Sequence, residues 1–502
     1  MKTKLWIISL LASVLIIGGC GGKDSQSNDA MDHAEMGHGD MENTDHNQSN
    51  RMGNGHMSHN DPVKLNDSTG ENELKIPSAL ERRGEKGFDY TVRAQKGNTE
   101  IFDGYQTATY GYNGTFLGPM IQLKQGETIK INTINELDEE TTFHWHGLEL
   151  PGEADGSPHQ TLKPGEEKVV EFKVAQEAAT LWFHPHPEGK TAEQVYNGLA
   201  GLVYIEDENS SSLDLPNEYG VNDIPLIFQD RTFDDDKQLN YQAAKNEDGT
   251  IGDTLLINGT LNPKLTVPKE KVRLRLLNGA NARDYTFKLT TGDSFVQVAT
   301  DGGFLNEPVT MNEITLAPSE RAEIIIDFSQ LETTGDLALI NDQGSILLPF
   351  EMSEQMGASS EMPGKMNDFS ITEEEMNLPV TKHIELFGMG EMVTINGKKF
   401  DMNRIDFTQE VGVTEVWELY NKPDMMGGMN HPFHIHGTQF KIISVNGKEP
   451  TKNERGWKDS ISLKPDERVK IAVKFNHKGV YMFHCHILEH EDNGMMGQIK
   501  IE

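Results

Sequence analysis

Three segments of the chain repeat one short pattern: Lys163-Pro164-Gly165-Glu166, Ala317-Pro318-Ser319-Glu320 and Lys464-Pro465-Asp466-Glu467. Each leads into a run rich in β-branched residues, at Val169–Lys173, Ala322–Ile326 and Val469–Val473. Similar runs at Thr128–Asn132 and Val272–Leu276 are bounded by Gly, Pro, Asn and Asp. Short strands divided by such residues read as sandwiches. Extended helical periodicity is scarce. A turn that recurs three times at the head of a strand implies one β-sandwich unit used three times, so the expected fold is all-β with three consecutive sandwich domains. About 430 residues remain for them once the N-terminal region is set aside, enough for about three domains of ordinary size. We place the domains at 75–210, 211–350 and 351–502, the last opening on a methionine-containing connector that runs to about residue 380.

The N-terminus reads as an export signal rather than as part of the fold. Lys2 and Lys4 precede an apolar run, Leu5 to Ile17, which closes in Ile17-Gly18-Gly19-Cys20. This is the layout of a secretory signal, and its last four residues resemble the box read by bacterial lipoprotein processing. Residues 1–19 then form a lipoprotein signal and Cys20 carries the lipid, which places the protein outside the cytoplasm, anchored to the cell membrane. An uncleaved membrane anchor leads to the same compartment. The chain has two cysteines, so lipidation of Cys20 leaves Cys485 alone and excludes a disulfide framework. A lone thiol in an oxidising compartment calls for a holder, and a metal is the usual one.

Residues 20–74 are expected to be a disordered tether. From Gly21 to Pro62 there is no Ile, Leu, Val, Phe, Trp or Tyr, too little apolar surface to offset the entropy of ordering. Met31, Met36, Met41, Met52 and Met57 alternate there with His33, His38, His46, His56 and His59. Thioethers suit Cu(I) and imidazoles suit Cu(II) or Zn(II), so the tether reads as a metal-capturing segment. The formal net charge of −34 argues against a nucleic-acid partner.

Four clusters carry the chemistry: His144-Trp145-His146, His184-Pro185-His186, His431-Pro432-Phe433-His434-Ile435-His436, and His484-Cys485-His486 followed by His490. Residues i and i+2 of a strand share a face, so each His-x-His pair presents two imidazoles to one side. The four pairs supply eight imidazoles, too many for one metal and suited to a cluster of three. Cys485 lies between His484 and His486, so its sulfur points the other way and one tripeptide touches two metal sites. One Cys, two His and a weak axial Met form the blue-copper ligand set. His490, Met495 and the remaining His431 complete it around Cys485. A structural zinc site needs neither this many ligands nor a methionine.

These motifs, in this order and at these separations, resemble the signature of three-domain multicopper oxidases, a family of cupredoxin-like Greek-key β-sandwich domains. The resemblance covers essentially residues 75–502. It is nearest to bacterial copper-efflux (cuprous) oxidases and bacterial laccases, notably in His431–Phe440 and His484–Met496. It implies four coppers per chain, one type 1, one type 2 and two type 3. Position by position, it implies that His431, Cys485, His490 and Met495 hold the type 1 copper and that His144 and His434 hold the type 2 copper. His146, His184 and His486 then hold one type 3 copper, and His186, His436 and His484 the other. Spacing alone does not give this division. A donor is oxidised one electron at a time and O2 is reduced to water. A monomer is expected, since each chain contains a complete ligand set.

Asp155 and Glu491 match acidic positions that the family uses to deliver protons, and a carboxyl near a metal can serve as an acid. For the donor, methionines gather at Met352, Met356, Met362 and Met366, at Met389 and Met392, and at Met425, Met426 and Met429 just before His431. Met389, Met392, Asp424, Met426 and Met429 are the candidate ligands of a substrate Cu(I), and the implied role is copper detoxification. The long methionine-rich insertion of the nearest relatives is missing, because Met389-Gly390-Glu391-Met392 runs almost directly into Val393. Laccase-type oxidation of phenols or other small organic donors is the alternative. A non-catalytic copper-binding envelope protein is a further alternative, and the intact Cys485 and ten clustered histidines argue against it.

Overall fold

All three repeated segments form the same turn. Proline sets φ at the second position and a residue with positive φ follows, at 79° for Gly165, 77° for Ser319 and 65° for Asp466. In each, the glutamate amide donates to the carbonyl of the first residue, at 2.9, 3.0 and 3.0 Å. The glutamate carboxylate in turn accepts that residue's amide, at 2.8, 2.8 and 3.0 Å. Left-handed backbone costs a non-glycine residue about 1–2 kcal/mol, and the two reciprocal hydrogen bonds offset it at Ser319 and Asp466. The strands that follow, Glu167–Lys173, Arg321–Asp327 and Arg468–Lys474, each pair antiparallel with an equivalent partner, Thr128–Asn135, Lys271–Asn278 and Thr414–Lys422.

The structure, a computed structural model, describes residues 63–82, 87–331, 336–356, 361–425 and 427–502. The first sandwich stacks a four-stranded sheet (from Tyr90–Thr99, Thr107–Tyr112, Thr128–Asn135 and Glu167–Lys173) on a three-stranded one (Met120–Lys124, Ala179–Phe183 and Gly201–Glu206). The second has sheets of six and seven strands, and the third has two of five. Each encloses its own apolar core, around Ile131 and Leu181, Leu274 and Phe287, and Trp417 and Phe483. Alternating burial along the strands, as in Val380–Phe387, is what packing on one face requires. A further cluster with Trp182, Leu202, Ile227 and Leu277 joins the first sandwich to the second.

Two sequence expectations need correction. The tether does not extend to residue 74: Leu65 and Leu74 are buried in the second core. Asn72–Glu73 adds a strand parallel to Pro263–Lys269. The two leucines and the available sheet edge together order a segment that is otherwise polar. The second sandwich also runs past residue 350, through the strand Ile346–Met356. Of the connector methionines, Met366 is a core residue packed with Val298, Leu305 and Ile325, with Met362 against the same cluster. The signal, Cys20 and the Met/His segment lie outside the described residues. Among the described residues, no helix is long and apolar enough to cross a membrane.

Candidate metal centre

Strand register builds both parts of the site. His431–Ile435 pairs antiparallel with Gly479–Cys485, setting Phe433 opposite Cys485 and His434 opposite His484. Residues alternate between faces, so His431 and Cys485 share one face while His434, His436, His484 and His486 turn to the other. In the first sandwich an isolated antiparallel bridge joins His144 to His184, through amide-to-carbonyl bonds of 2.9 and 3.1 Å. Among the described residues, ligand-type histidines thus come from the first and third sandwiches, and the second supplies none.

Cys485 Sγ lies 3.6 Å from His431 Nδ1 and 3.7 Å from His490 Nδ1. A tetrahedral first-row ion with a metal–sulfur bond of about 2.3 Å and a metal–nitrogen bond of about 2.0 Å holds its donors about 3.6 Å apart, so the spacing fits a bound metal. The one-turn helix Leu488–Asp492 carries His490. The chain then turns back, with Met495 N donating to His490 O at 2.8 Å and Cys485 N to Met495 O at 3.1 Å. That return puts Met495, fully buried, into the core that also holds Cys485. Burial pushes the Cys485 thiol up. The same cause lowers His431 to about 4 and His490 to about 3. The imidazoles are therefore neutral and ready to ligate at pH 7, while the thiol must give up its proton.

Eight further imidazoles, all buried, converge between the first and third sandwiches. Nδ1 of His144, His184, His434 and His484 bonds to the carbonyls of Asp155, Pro185, Asp459 and Cys485, at 3.1, 2.8, 2.8 and 3.0 Å. Such a bond fixes the tautomer and leaves Nε2 for a metal. Nε2 of His144 and His434 has no hydrogen-bond partner, nor has either nitrogen of His486. Nε2 of His484 meets Nε2 of His186 at 3.2 Å and of His436 at 3.0 Å, a convergence of lone pairs that an ion between them would relieve. The structure therefore brings together His186, His436 and His484. It groups His146 and His184 most tightly with His144, while the His486 ring lies 5.2 and 5.4 Å from the rings of His146 and His184. Burial, with neighbouring imidazoles, holds His144, His146, His186, His434, His436 and His486 well below the ordinary histidine value.

Both predicted acids reach the cluster. Asp155 Oδ2 is 2.8 Å from His436 Nδ1 and Oδ1 is 3.7 Å from His144 Nδ1. Glu491 sits 3.4 Å from His186 Nδ1 and 3.2 Å from His484 Nδ1. Burial raises both carboxyls well above the ordinary range. Of the candidate substrate ligands, Met389 is half-buried beside Gly388, whose carbonyl hydrogen-bonds to the His431 side chain. Met392 is 77% exposed. Asp424 is close enough for its charge to act on His431. Met429 packs instead against the third core, and Met426 lies outside the described residues. Sequence reasoning missed Asp459 and Arg321, both fully buried. The Asp459 carboxylate is 3.0 Å from His146 Nε2 and is gripped by Arg321 at 2.7 and 2.5 Å.

Comparison with known proteins agrees with this geometry. Family models described as multicopper oxidase match residues 93–210, 222–345 and 370–502, one in each sandwich. Multicopper oxidase mco of Staphylococcus haemolyticus is 52% identical over 464 residues, spanning 92% of this chain and 100% of the relative. A solved laccase from Pediococcus acidilactici is 44% identical with a TM-score of 0.83, covering 88% of this chain and 95% of that one. A multicopper oxidase from Campylobacter jejuni, described as a metallo-oxidase, is 30% identical with a TM-score of 0.74, covering 88% and 98%. Three cupredoxin-like sandwiches around a buried thiol site and an imidazole cluster define a copper-dependent oxidoreductase that uses O2. The chain belongs to the multicopper oxidase family, with the family's four coppers.

Proposed function

We propose that the donor is Cu(I), oxidised as 4 Cu⁺ + O2 + 4 H⁺ → 4 Cu²⁺ + 2 H2O, and that the protein thereby detoxifies copper. The observation carrying this reading is the loop Gly388–Met392, which bonds to the His431 side chain through Gly388 and holds Met392 out to solvent. An exposed thioether is a poor core residue and a good ligand for a soft cation. Met389, Met392 and Asp424 are the proposed substrate ligands.

Within the site, His431, Cys485, His490 and Met495 are the proposed type 1 ligands. The eight clustered imidazoles serve the type 2 and type 3 ions, divided as the family resemblance implies. When bound, the coppers supply one-electron redox chemistry and the place where O2 is reduced. Cys485 links the two regions, because its backbone neighbours His484 and His486 face the cluster. Asp155 and Glu491 are the proposed proton donors: burial favours their protonated forms, and each touches two cluster histidines. We place the enzyme outside the cytoplasm as a monomer anchored by lipid on Cys20, with the Met/His segment collecting copper.

A second reading is supported by a cleft of about 260 Å³ lined by Asn430 and Pro432, the chain neighbours of His431, with Tyr285, Ile487, Arg283 and Asp284. It would take a small organic donor such as a phenol. Oxygen uptake with Cu(I) and with a phenol, in the wild type and in Met389→Leu/Met392→Leu, separates the two. Cu(I) oxidation should fall at least tenfold in the variant with phenol oxidation retained. Equal Cu(I) rates in both proteins would refute the methionine site.

A further inference from the structure

We propose that Asp459, clamped by Arg321 of the second sandwich, is a positioning residue that decides which nitrogen of His146 faces the copper cluster. It rests on the ligand reading above and assigns a role in the site to the sandwich that holds no ligand. His146 is reversed relative to its neighbours. The four carbonyl-bonded imidazoles and His436 all spend Nδ1 on the protein. His146 instead spends Nε2 on Asp459 Oδ1 at 3.0 Å. Its Nδ1 faces inward, 3.4 Å from His184 Nε2. A carboxylate clamped by a guanidinium serves as an acceptor, so this contact places the proton on Nε2 and leaves the Nδ1 lone pair free.

Asp459 is held for this task rather than offered as a ligand. Oδ1 also accepts from Arg321 Nη1 at 2.7 Å and Ser460 Oγ at 2.9 Å, and Oδ2 from Arg321 Nη2 at 2.5 Å and Gln439 Nε2 at 2.8 Å. These bonds occupy the carboxylate's acceptor positions. The same residue's backbone carbonyl receives His434 Nδ1 at 2.8 Å, so it orients two imidazoles through different atoms. Arg321 reaches further: Nε donates to Thr180 O at 3.1 Å, in the strand that leads to His184, and Nη2 to Asp301 O at 3.0 Å. One guanidinium therefore joins all three sandwiches at the cluster. Gly147 reflects the same demand, since a Cβ there would lie 2.6 Å from Asp459 Oδ2 and 2.9 Å from Arg321 Nη2.

Ring-nitrogen NMR of the full chain, ¹⁵N-labelled at histidine and loaded anaerobically with Cu(I), tests this without any substitution. His146 should carry its proton on Nε2, opposite to His144, His184, His434 and His484. A His146 of the same tautomer as those four overturns the proposal. Asp459→Asn should disturb the resonances of His146 and of its neighbour His184, 3.4 Å away, and lower bound copper from four per chain to three or fewer, with the Cys485-dependent blue colour kept. Glu320→Gln is the control, breaking the 3.1 Å ion pair with Lys458 in the same interface while leaving four coppers. Four coppers and an unchanged His146 in Asp459→Asn also refute the role. If none of these ring signals moves between copper-free and Cu(I)-loaded protein, the ligand reading itself fails.

Discussion

Replacing Gly156 by alanine tests how the turn after Asp155 serves the cluster. Gly156 has φ of +81°, and an added Cβ would lie 1.8 Å from Phe143 O and 2.7 Å from His144 N. Left-handed backbone costs alanine about 1–2 kcal/mol. A contact so short also forces the turn away from the histidine-bearing segment. That movement breaks the bonds to Asp155 O from Trp145 N, 3.2 Å, and from His144 Nδ1, 3.1 Å, at about 1 kcal/mol each. The sum is about 3–4 kcal/mol, which for a domain of this size corresponds to a fall of roughly 10 °C in Tm. Asp155, the proposed proton donor, is carried off His436 at the same time, and losing a positioned general acid typically costs 10²-fold or more in rate. Calorimetry at one scan rate and oxygen uptake measure the two effects. Gly126→Ala is the comparison: its φ is +91° but nothing lies within 4 Å of the new Cβ, so it should cost about 1 kcal/mol and leave turnover intact. The reasoning is refuted if Gly156→Ala has normal turnover and a Tm no lower than that of Gly126→Ala.

Cys485→Ser should fold and still bind copper at the imidazole cluster, but without the intense blue colour of a copper–thiolate site; a blue variant contradicts the assignment. Loading the copper-free protein with Cu(I) in unbuffered solution at pH 7 should release about one proton per chain, from the Cys485 thiol, because the imidazoles are already neutral. Release of three or more, followed by pH-stat, would show the histidines to be charged. In the copper-free protein, His431 near 4 and His490 near 3 lie below the ~6.5 of an unfolded histidine. The unfolded chain then takes up protons first, so their stability is complete above pH ~6.5 and lost as pH falls towards the folded values, about 2 kcal/mol per histidine by pH 5. Urea unfolding at pH 7 and pH 5 should show about 4 kcal/mol more loss in the wild type than in His431→Gln/His490→Gln, and equal losses would refute it. Glu323→Ala removes the buried carboxylate between Arg273 and Arg275 and should destabilise by about 3–5 kcal/mol, read from the same urea curves.

The histidine and cysteine clusters that the structure brings together were legible in the sequence because the information is local. A His-x-His pair uses the two-residue period of a strand, and Cys485 sits within ten residues of His490 and Met495. Turn chemistry was equally local, so the three sandwiches could be read from proline and glutamate spacing. Asp459 and Arg321 were not legible, since the partners are 138 positions apart and neither lies in a motif. Nothing near Lys458-Asp459-Ser460 distinguishes an acid buried against a guanidinium from a solvated one. Met366, grouped by sequence with the donor methionines, instead packs with Val298, Leu305 and Ile325, partners distant in the chain.

The strand Asn72–Glu73 has a consequence that does not involve copper. It caps one side of the six-stranded sheet, next to Pro263–Lys269. It covers the start of that edge, at Pro263 and Lys264; an open row of amides and carbonyls is the usual template for intermolecular pairing. A chain shortened to begin at residue 75 would keep every candidate copper ligand yet present this part of the edge to other copies of itself. Such a shortened chain should therefore self-associate more readily than the full one, through the sandwich that contributes no histidine to the cluster.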